Sequence, residues 1–259
     1  MRVFVEGVGV IGPGLEGWPA TRSVLAGADD YEPQPVRLPQ IALLPPAERR
    51  RAGTTVKLAI AAGTEALAQA GRDPAEMAMV FAASGGDGET VHETLTVLAS
   101  ARREVSPTRF HNSVHNAPSG YWSVATGSRA PSTSLCAFDD SFAAGILEAT
   151  VQATVQNCPI TLIAYDVPYP EPLHTARPIV AAFGVALVLA PHKAERALAS
   201  LTLTMTHAMS PATTMLDPEL ERLRLGNPAA RALPLLAALA RGDVATIRLN
   251  GIDIEVTPR

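Results

Sequence analysis

The sequence is poor in the features that most often announce a chemistry. It has two cysteines, Cys136 and Cys158, among 259 residues. Both stand among apolar neighbours, which suits buried free thiols in a reducing compartment better than a disulfide. No apolar run reaches the roughly 18 residues a membrane-spanning helix needs, so no span is expected. No basic tract exceeds Arg49-Arg50-Arg51 and Arg102-Arg103, and the net charge is −4. Nucleic acid is therefore not an expected partner. The opening MRVFVEGVGVIGPG lacks the charged, apolar and cleavage regions of a signal peptide, so the cytoplasm is the expected compartment. Charged residues make up only 18% and apolar ones 47%, the balance of a well-cored globular chain rather than a disordered one.

What is present reads as mixed α/β, a single domain over 1–259. Arg2 to Glu6 alternates as a first strand. The following GVGVIG matches G-x-G-x-x-G from Gly7 to Gly12. A dinucleotide site would need a helix opening at the last glycine, but Pro13 and Gly14 interrupt it. A glycine-rich loop is the expected reading. Arg49 to Ala70 predicts one helix stopped by Gly71. Met77 to Ala83 predicts a strand, SGGDGE a flexible connection, and Glu89 to Ala101 a helix with Val91, Leu95 and Leu98 on one face. Two near-continuous apolar runs, PITLIAY (Pro159–Tyr165) and FGVALVLA (Phe183–Ala190), predict central strands covered on both faces. Ser200 to Thr206 alternates as a half-exposed strand. Two short helices and a hairpin turning at Asn250-Gly251 complete the chain.

The stretch from Phe110 to Gln156 carries the candidate chemistry. A strand, Ser132 to Phe138, runs into a tight turn, Phe138-Asp139-Asp140-Ser141, and then into an apolar helix from Ser141 to Gln156. Strand, sharp turn and helix make the kind of elbow on which α/β enzymes place a nucleophile. The apex holds neither cysteine nor serine. Asp139 or Asp140 falls at the helix N-cap, where a carboxylate stabilises by roughly 0.5–2 kcal/mol. Other constellations are weaker. His111 and His115 are spaced i,i+4 but have no third ligand, so no metal site is expected, and no cofactor. Two adjacent aspartates cannot flank a glycoside from two sides. Tyr121, Trp122 and Phe142 read as core or interface packing.

Several segments together resemble the N-terminal half of β-ketoacyl synthases, the thiolase-like condensing enzymes. These are FVEGVGVIGPG, ERRRAGTTVKLAIAAGTEALAQAG, VFAASGGDGE, NAPSGYWSVATGSRAP (Asn116–Pro131) and ARPIVAAFGVALVLA. The resemblance covers residues 1–195 and leaves 196–259 as a divergent extension. It implies a truncated thiolase-like fold, layered α-β-α, ending in a C-terminal β-hairpin. The family carries its nucleophilic cysteine eight residues after the proline that matches Pro131, and that count lands on Asp139. Cys136 falls three residues too early. The second-half histidines and lysine have no counterpart, and none of His92, His111, His115, His174, His192 and His207 follows a second-half motif.

The resemblance therefore implies a non-catalytic subunit of the chain-length-factor type, similar to the short subunits of aryl polyene (xanthomonadin-like) pigment pathways. The implied partner is a full-length β-ketoacyl synthase in a heterodimer, with acyl carrier protein engaged indirectly. Phe110, Asn112, Ser113 and Asn116 become the expected residues of a shared acyl tunnel or partner interface. Two alternatives stand beside this. One is an enzyme of altered chemistry, a thioester decarboxylase or hydrolase with Asp139 as base. It is disfavoured because a helix N-terminus lowers a carboxylate's pKa. The other is an acyl-carrier-protein docking module. The residues after about 200 are expected to cover the sheet face that a second half would bury.

Overall fold

The computed structural model describes residues 1–101, 103–206 and 211–259; Arg102 and His207 lie outside them. The chain opens with β1 (Arg2–Gly12), the short β2 (Leu15–Glu16) and α1 (Trp18–Leu25). Next come α2 (Pro46–Arg51), α3 (Thr54–Ala70), β3 (Ala78–Ala82), α4 (Gly88–Ala99), α5 (Pro107–Asn112) and α6 (Ala117–Thr126). They are followed by β4 (Ser132–Leu135), a 3-10 turn (Phe138–Asp140), α7 (Ser141–Gln156), β5 (Ile160–Asp166), α8 (Leu173–Ala176) and β6 (Phe183–Ala190). The remainder holds β7 (Ala199–Met205), α9 (Pro218–Gly226), a second 3-10 turn (Ala229–Ala232), α10 (Leu233–Arg241), β8 (Ala245–Leu249) and β9 (Ile252–Pro258).

Among the described residues, nine strands form one sheet in the order β4-β3-β5-β6-β1-β7-β9-β8, with β2 paired to β1. β4, β3 and β5 run parallel; the other pairings are antiparallel. Parallel strands need crossovers; α7 supplies the one from β4 to β5, which flank β3 on its two sides. One face of the sheet packs on Phe142, Ile146 and Ala149 of α7 and on Leu233, Leu235 and Leu236 at the start of α10. The other face packs on Leu58, Ala62 and Ala66 of α3 and on Tyr121 and Trp122 of α6. The layering is thus α-β-α. As expected, β5 and β6 are buried at every position.

The first strand departs from expectation. It continues through the glycines to Gly12, so Gly7 and Gly9 belong to a strand and not to a loop. The reason is close approach: a Cβ on either glycine would lie 2.1 Å from a main-chain oxygen of α3, Ala66 or Ala62. Bare glycines let the helix sit directly on the strand. The β1–β6 register slips between Val5 and Gly7. An extra residue inverts the alternation of faces, which is how Val3 and Val5 share one core with Val8 and Val10. The slipped residue, Glu6, is 2% exposed and takes a two-pronged ion pair from Arg72, at 2.9 and 3.0 Å.

The helix expected over Arg49–Ala70 is two helices, broken where Ala52 turns extended before Gly53. A Cβ on Gly53 would meet Asp87 Oδ2 at 2.2 Å. Asp87 is occupied there, accepting from Thr55 Oγ1 and from Thr90 N, each at 3.0 Å, the second as the cap of α4. The apolar face of α4 is not core: Val91, Leu95 and Leu98 are exposed. The cysteines are free, as expected, but not buried; Cys136 is exposed and Cys158 partly so. Beyond β6, the second 3-10 turn and α10 do cover a sheet face, while β7, β9 and β8 lengthen the sheet past β1. The hairpin turns at Asn250-Gly251 with Gly251 at φ 73°. No helix among the described residues is long and apolar enough to cross a membrane.

Candidate functional site

The elbow forms where β4 delivers the chain to the end of the parallel strands and α7 takes it back under the sheet. The reversal needs one residue in the left-handed region, and that residue is Phe138, at φ 53°. Ser141 holds the turn closed: its Oγ donates to Phe138 O at 2.8 Å and accepts from Ala137 N at 3.0 Å. The expected carboxylate cap is absent. Asp140 occupies the N-cap position without a side-chain cap bond. Its Oδ2 accepts instead from Asn250 Nδ2 at 2.7 Å, tying the elbow to the C-terminal hairpin.

Asp139 turns to arginine. Its Oδ1 lies 2.8 Å from Arg177 Nη2, and its Oδ2 lies 3.6 Å from Arg231 Nη2. The Arg177 guanidinium also stacks on Phe138, 3.5 Å from the ring centroid. Asp139 is half-exposed, so each ion pair contributes little by itself, on the order of 0.2–1 kcal/mol. Their combined effect is positional: they occupy the carboxylate and fold an arginine over the apex.

Beneath the elbow, Asp166 ends β5. Burial pushes its carboxyl up to about 7, opposed by hydrogen bonds from Ser84 and by the charge of Arg177. Asn227 Nδ2 donates to the main-chain oxygen of Asp166 at 3.2 Å. Sequence reasoning missed Asp166, Ser84, Arg177, Arg231 and Asn227. The one available signal was an acid closing an otherwise apolar strand, PITLIAYD; the convergence of the other four depends on loop geometry.

Of the four expected tunnel residues, Phe110 and Asn112 lie on α5, while Ser113 and Asn116 lie in the turn between α5 and α6. Phe110 is 65% exposed, on the helix surface. Asn112 is buried and fully engaged: Nδ2 donates to Arg51 O at 2.8 Å, and Oδ1 accepts from Tyr121 Oη at 3.0 Å. It fastens α5 to α2 and α6. Ser113 Oγ donates to Phe110 O at 2.8 Å. Asn116 is exposed at the N-cap of α6 and makes no side-chain cap bond. His111 meets Tyr121 edge to face at 6.1 Å, and His115 Nε2 lies 3.4 Å from Ala83 O. Among the described residues no three His, Cys, Asp or Glu side chains gather as a metal site.

A mixed sheet of this order, with an elbow between β4 and a buried α7, defines a thiolase-like α/β fold. A profile of the family described as beta-ketoacyl synthase, N-terminal domain, matches residues 19–240. The chain belongs to that family. Its fold is similar to one in a ketosynthase (ApeO) in complex with its chain length factor (ApeC) from Xenorhabdus doucetiae, with a TM-score of 0.74, 22% identity and 99% of each chain covered. It is also similar to the ishigamide ketosynthase/chain length factor, with a TM-score of 0.67, 15% identity, and 99% of this chain and 98% of that one covered. A β-ketoacyl synthase from Burkholderia phymatum STM815 aligns with a TM-score of 0.60 at 16% identity, over 88% of this chain and 70% of that one. No curated protein matches.

Proposed function

We propose that this chain is a non-catalytic ketosynthase-like subunit, a chain-length factor. It pairs in the cytoplasm with an active full-length β-ketoacyl synthase and helps shape that enzyme's acyl tunnel. The observation that carries the reading is the elbow itself. At its apex stand Phe138 and Asp139, clasped by Arg177, with Arg231 beside Asp139. A condensation needs an acyl-bearing thiolate and donors for the enolate oxygen. The nearest thiol, Cys136, donates to Ser84 O at 3.2 Å and precedes the turn. Two of the similar folds come from ketosynthase complexes that include a chain length factor, which supports a role beside a ketosynthase; the pathway proposed for it is polyketide or aryl polyene assembly. Acyl carrier protein would be engaged through the partner.

The surface offered to that partner is the α4–α5 pair. Val91, Leu95 and Leu98 stand exposed on α4, with Phe110 on α5 and Val114 just after it. Arg109 Nε and Glu93 Oε2, 2.8 Å apart, hold the two helices together. Exposed apolar side chains gathered in this way mark a surface that an interface buries. Phe110, Ser113 and Asn116 would line the tunnel from there, and Asn112 would position them.

Co-expression with a neighbouring full-length ketosynthase tests the reading. The expected result is a co-purifying heterodimer whose condensing activity survives Asp139→Ala and Cys136→Ser in this chain. Stoichiometric labelling of this chain by a cysteine-directed condensing-enzyme inhibitor, or loss of activity with Asp139→Ala in an intact heterodimer, would refute it.

A further inference from the structure

The sheet ends at β8 on the side away from the elbow, and that edge is only half covered. β8 and β9 meet at the two-residue turn Asn250-Gly251, with Leu249 opposite Ile252. Antiparallel neighbours exchange hydrogen bonds at alternate positions, and a two-residue turn is closed by a bonded pair. Leu249 and Ile247 therefore spend their main-chain groups on β9, while Arg248 and Thr246 turn theirs outward. The Arg248 groups are met: Thr213 N donates to Arg248 O at 3.0 Å, and Arg248 N donates to Thr213 Oγ1 at 2.9 Å. The Thr246 groups are open; among the described residues nothing meets its outward N–H or C=O. The segment that covers Arg248 has left the edge by Met215, whose N–H donates to Glu221 Oε2 at 2.8 Å.

Between that segment and Thr246 lies a cavity of about 430 Å³. Its floor is apolar, built by the buried side chains of Leu25 from α1, Leu220 from α9, Ala237 from α10 and Ile247 from β8. Its mouth is acidic, with Asp29, Asp30 and Asp217. Asp217 caps α9, accepting from Glu219 N and Leu220 N at 2.9 Å each. Asp29 and Asp30 are exposed, and among the described residues no side chain pairs with either carboxylate. The cation on the lining, Arg241, is taken by Asp243, with Nε 2.6 Å from Oδ2. Leu216 on the rim is 98% exposed and Val244, just before β8, is 80% exposed; no other large apolar side chain among the described residues is as bare.

We propose that β8 receives an extended peptide segment of a partner protein, which pairs with Thr246 and lays a basic side chain into the cavity. An open edge strand recruits extended chain through its main-chain groups, and a pocket beside it selects the side chain. A lysine or arginine stem covers the apolar floor while its charged head stays at the mouth, beside Asp29 and Asp30. The neighbouring peptide residues cover Leu216 and Val244. The sign of the mouth decides the occupant, since its two unpaired carboxylates repel an acidic segment. A second copy cannot supply the strand from its own β8, because Thr213 fills that edge at Arg248 in every copy. The site needs only this chain and shares no residue with the α4–α5 surface, so its failure and that of the ketosynthase reading are separable.

Amide NMR of the isotope-labelled full chain, titrated with the acetylated and amidated peptide Thr-Val-Lys-Val-Thr, tests it. The Thr246 amide should shift saturably, while the amides of α5 stay still. The same peptide with Glu in place of Lys should bind ~10-fold more weakly, and the difference should shrink in high salt. The double variant Asp29→Asn, Asp30→Asn should bind the Lys peptide ~3–10-fold more weakly. Thr246→Pro removes the outward N–H at an edge position, where proline is tolerated, and should abolish binding. Asp29 and Asp30 are exposed, so their arm does not depend on the folding of the proline variant. A Thr246 amide that is still at ~1 mM peptide, equal binding of the Lys and Glu peptides, or binding kept in Thr246→Pro overturns the proposal. So does a Thr246 shift that follows protein concentration without peptide, which marks a second copy as the occupant.

Discussion

Gly9→Ala asks whether the fold rests on the contact between β1 and α3. A Cβ there would stand 2.1 Å from Ala62 O and 3.0 Å from both Ala62 C and Ala66 N. Ordinary contact begins near 3.4 Å, so helix and strand must part by about 1.3 Å, the difference of the two distances. The obstructing atoms are helix backbone and cannot swing aside. The helix that must retreat buries Leu58, Ala59, Ala62, Ala66 and Leu67 against the sheet. Overpacking costs about 1–3 kcal/mol in ordinary cores, and this site belongs at the upper end. Replacing a strand glycine returns roughly 0.5–1 kcal/mol through the unfolded state. The expected net loss is about 2 kcal/mol, or a fall in Tm of roughly 4–8 °C for a chain of this size. Gly120→Ala is the control. It lies in α6 with nothing within 4 Å of the new methyl, and should stabilise by about 0.5–1 kcal/mol. Urea unfolding of both variants at one pH is the assay. A Gly9→Ala chain with an unchanged or higher midpoint would refute the claim that bare glycines let α3 sit on β1.

Three further outcomes are expected. Asp166 has its folded pKa raised from 3.8 to about 7, so the native state binds the extra proton between those values. Stability should fall as pH rises through that window, by up to about 1.4 kcal/mol per unit, and Asp166→Asn should flatten that slope in denaturant melts. Asn112→Ala strips partners from Arg51 O and the Tyr121 hydroxyl and should cost about 1–3 kcal/mol in chemical unfolding. Leu95→Asp falls on an exposed face and should change the stability of the isolated chain by less than about 0.5 kcal/mol, while abolishing co-purification with a ketosynthase. Retained co-purification would place the interface elsewhere.

Much of the architecture was legible from periodicity. The two apolar runs read as central strands, because no charged position interrupts them and polar ones are rare, and the Asn250-Gly251 turn announced its own hairpin. The glycine run was misread for a physical reason. G-x-G-x-x-G looks alike whether its glycines free a turn or admit a helix, and only the helix lying across them tells which. The break at Ala52-Gly53 was hidden in the same way, since it follows from an aspartate more than thirty residues on needing the space.

The elbow shows the same division. Sequence alone determined that a strand, a turn and an apolar helix meet at Phe138–Ser141, and that no thiol or hydroxyl stands at the apex. Those are local matters of residue type and spacing. Only the tertiary structure decided that Ser141, not an aspartate, closes the turn, and that Asp139 faces Arg177 and Arg231. It alone brought a buried Asp166 beneath them. Side chains separated by tens of residues meet there because the sheet order brings the ends of β3, β4 and β5 together, and that order is a property of the folded chain.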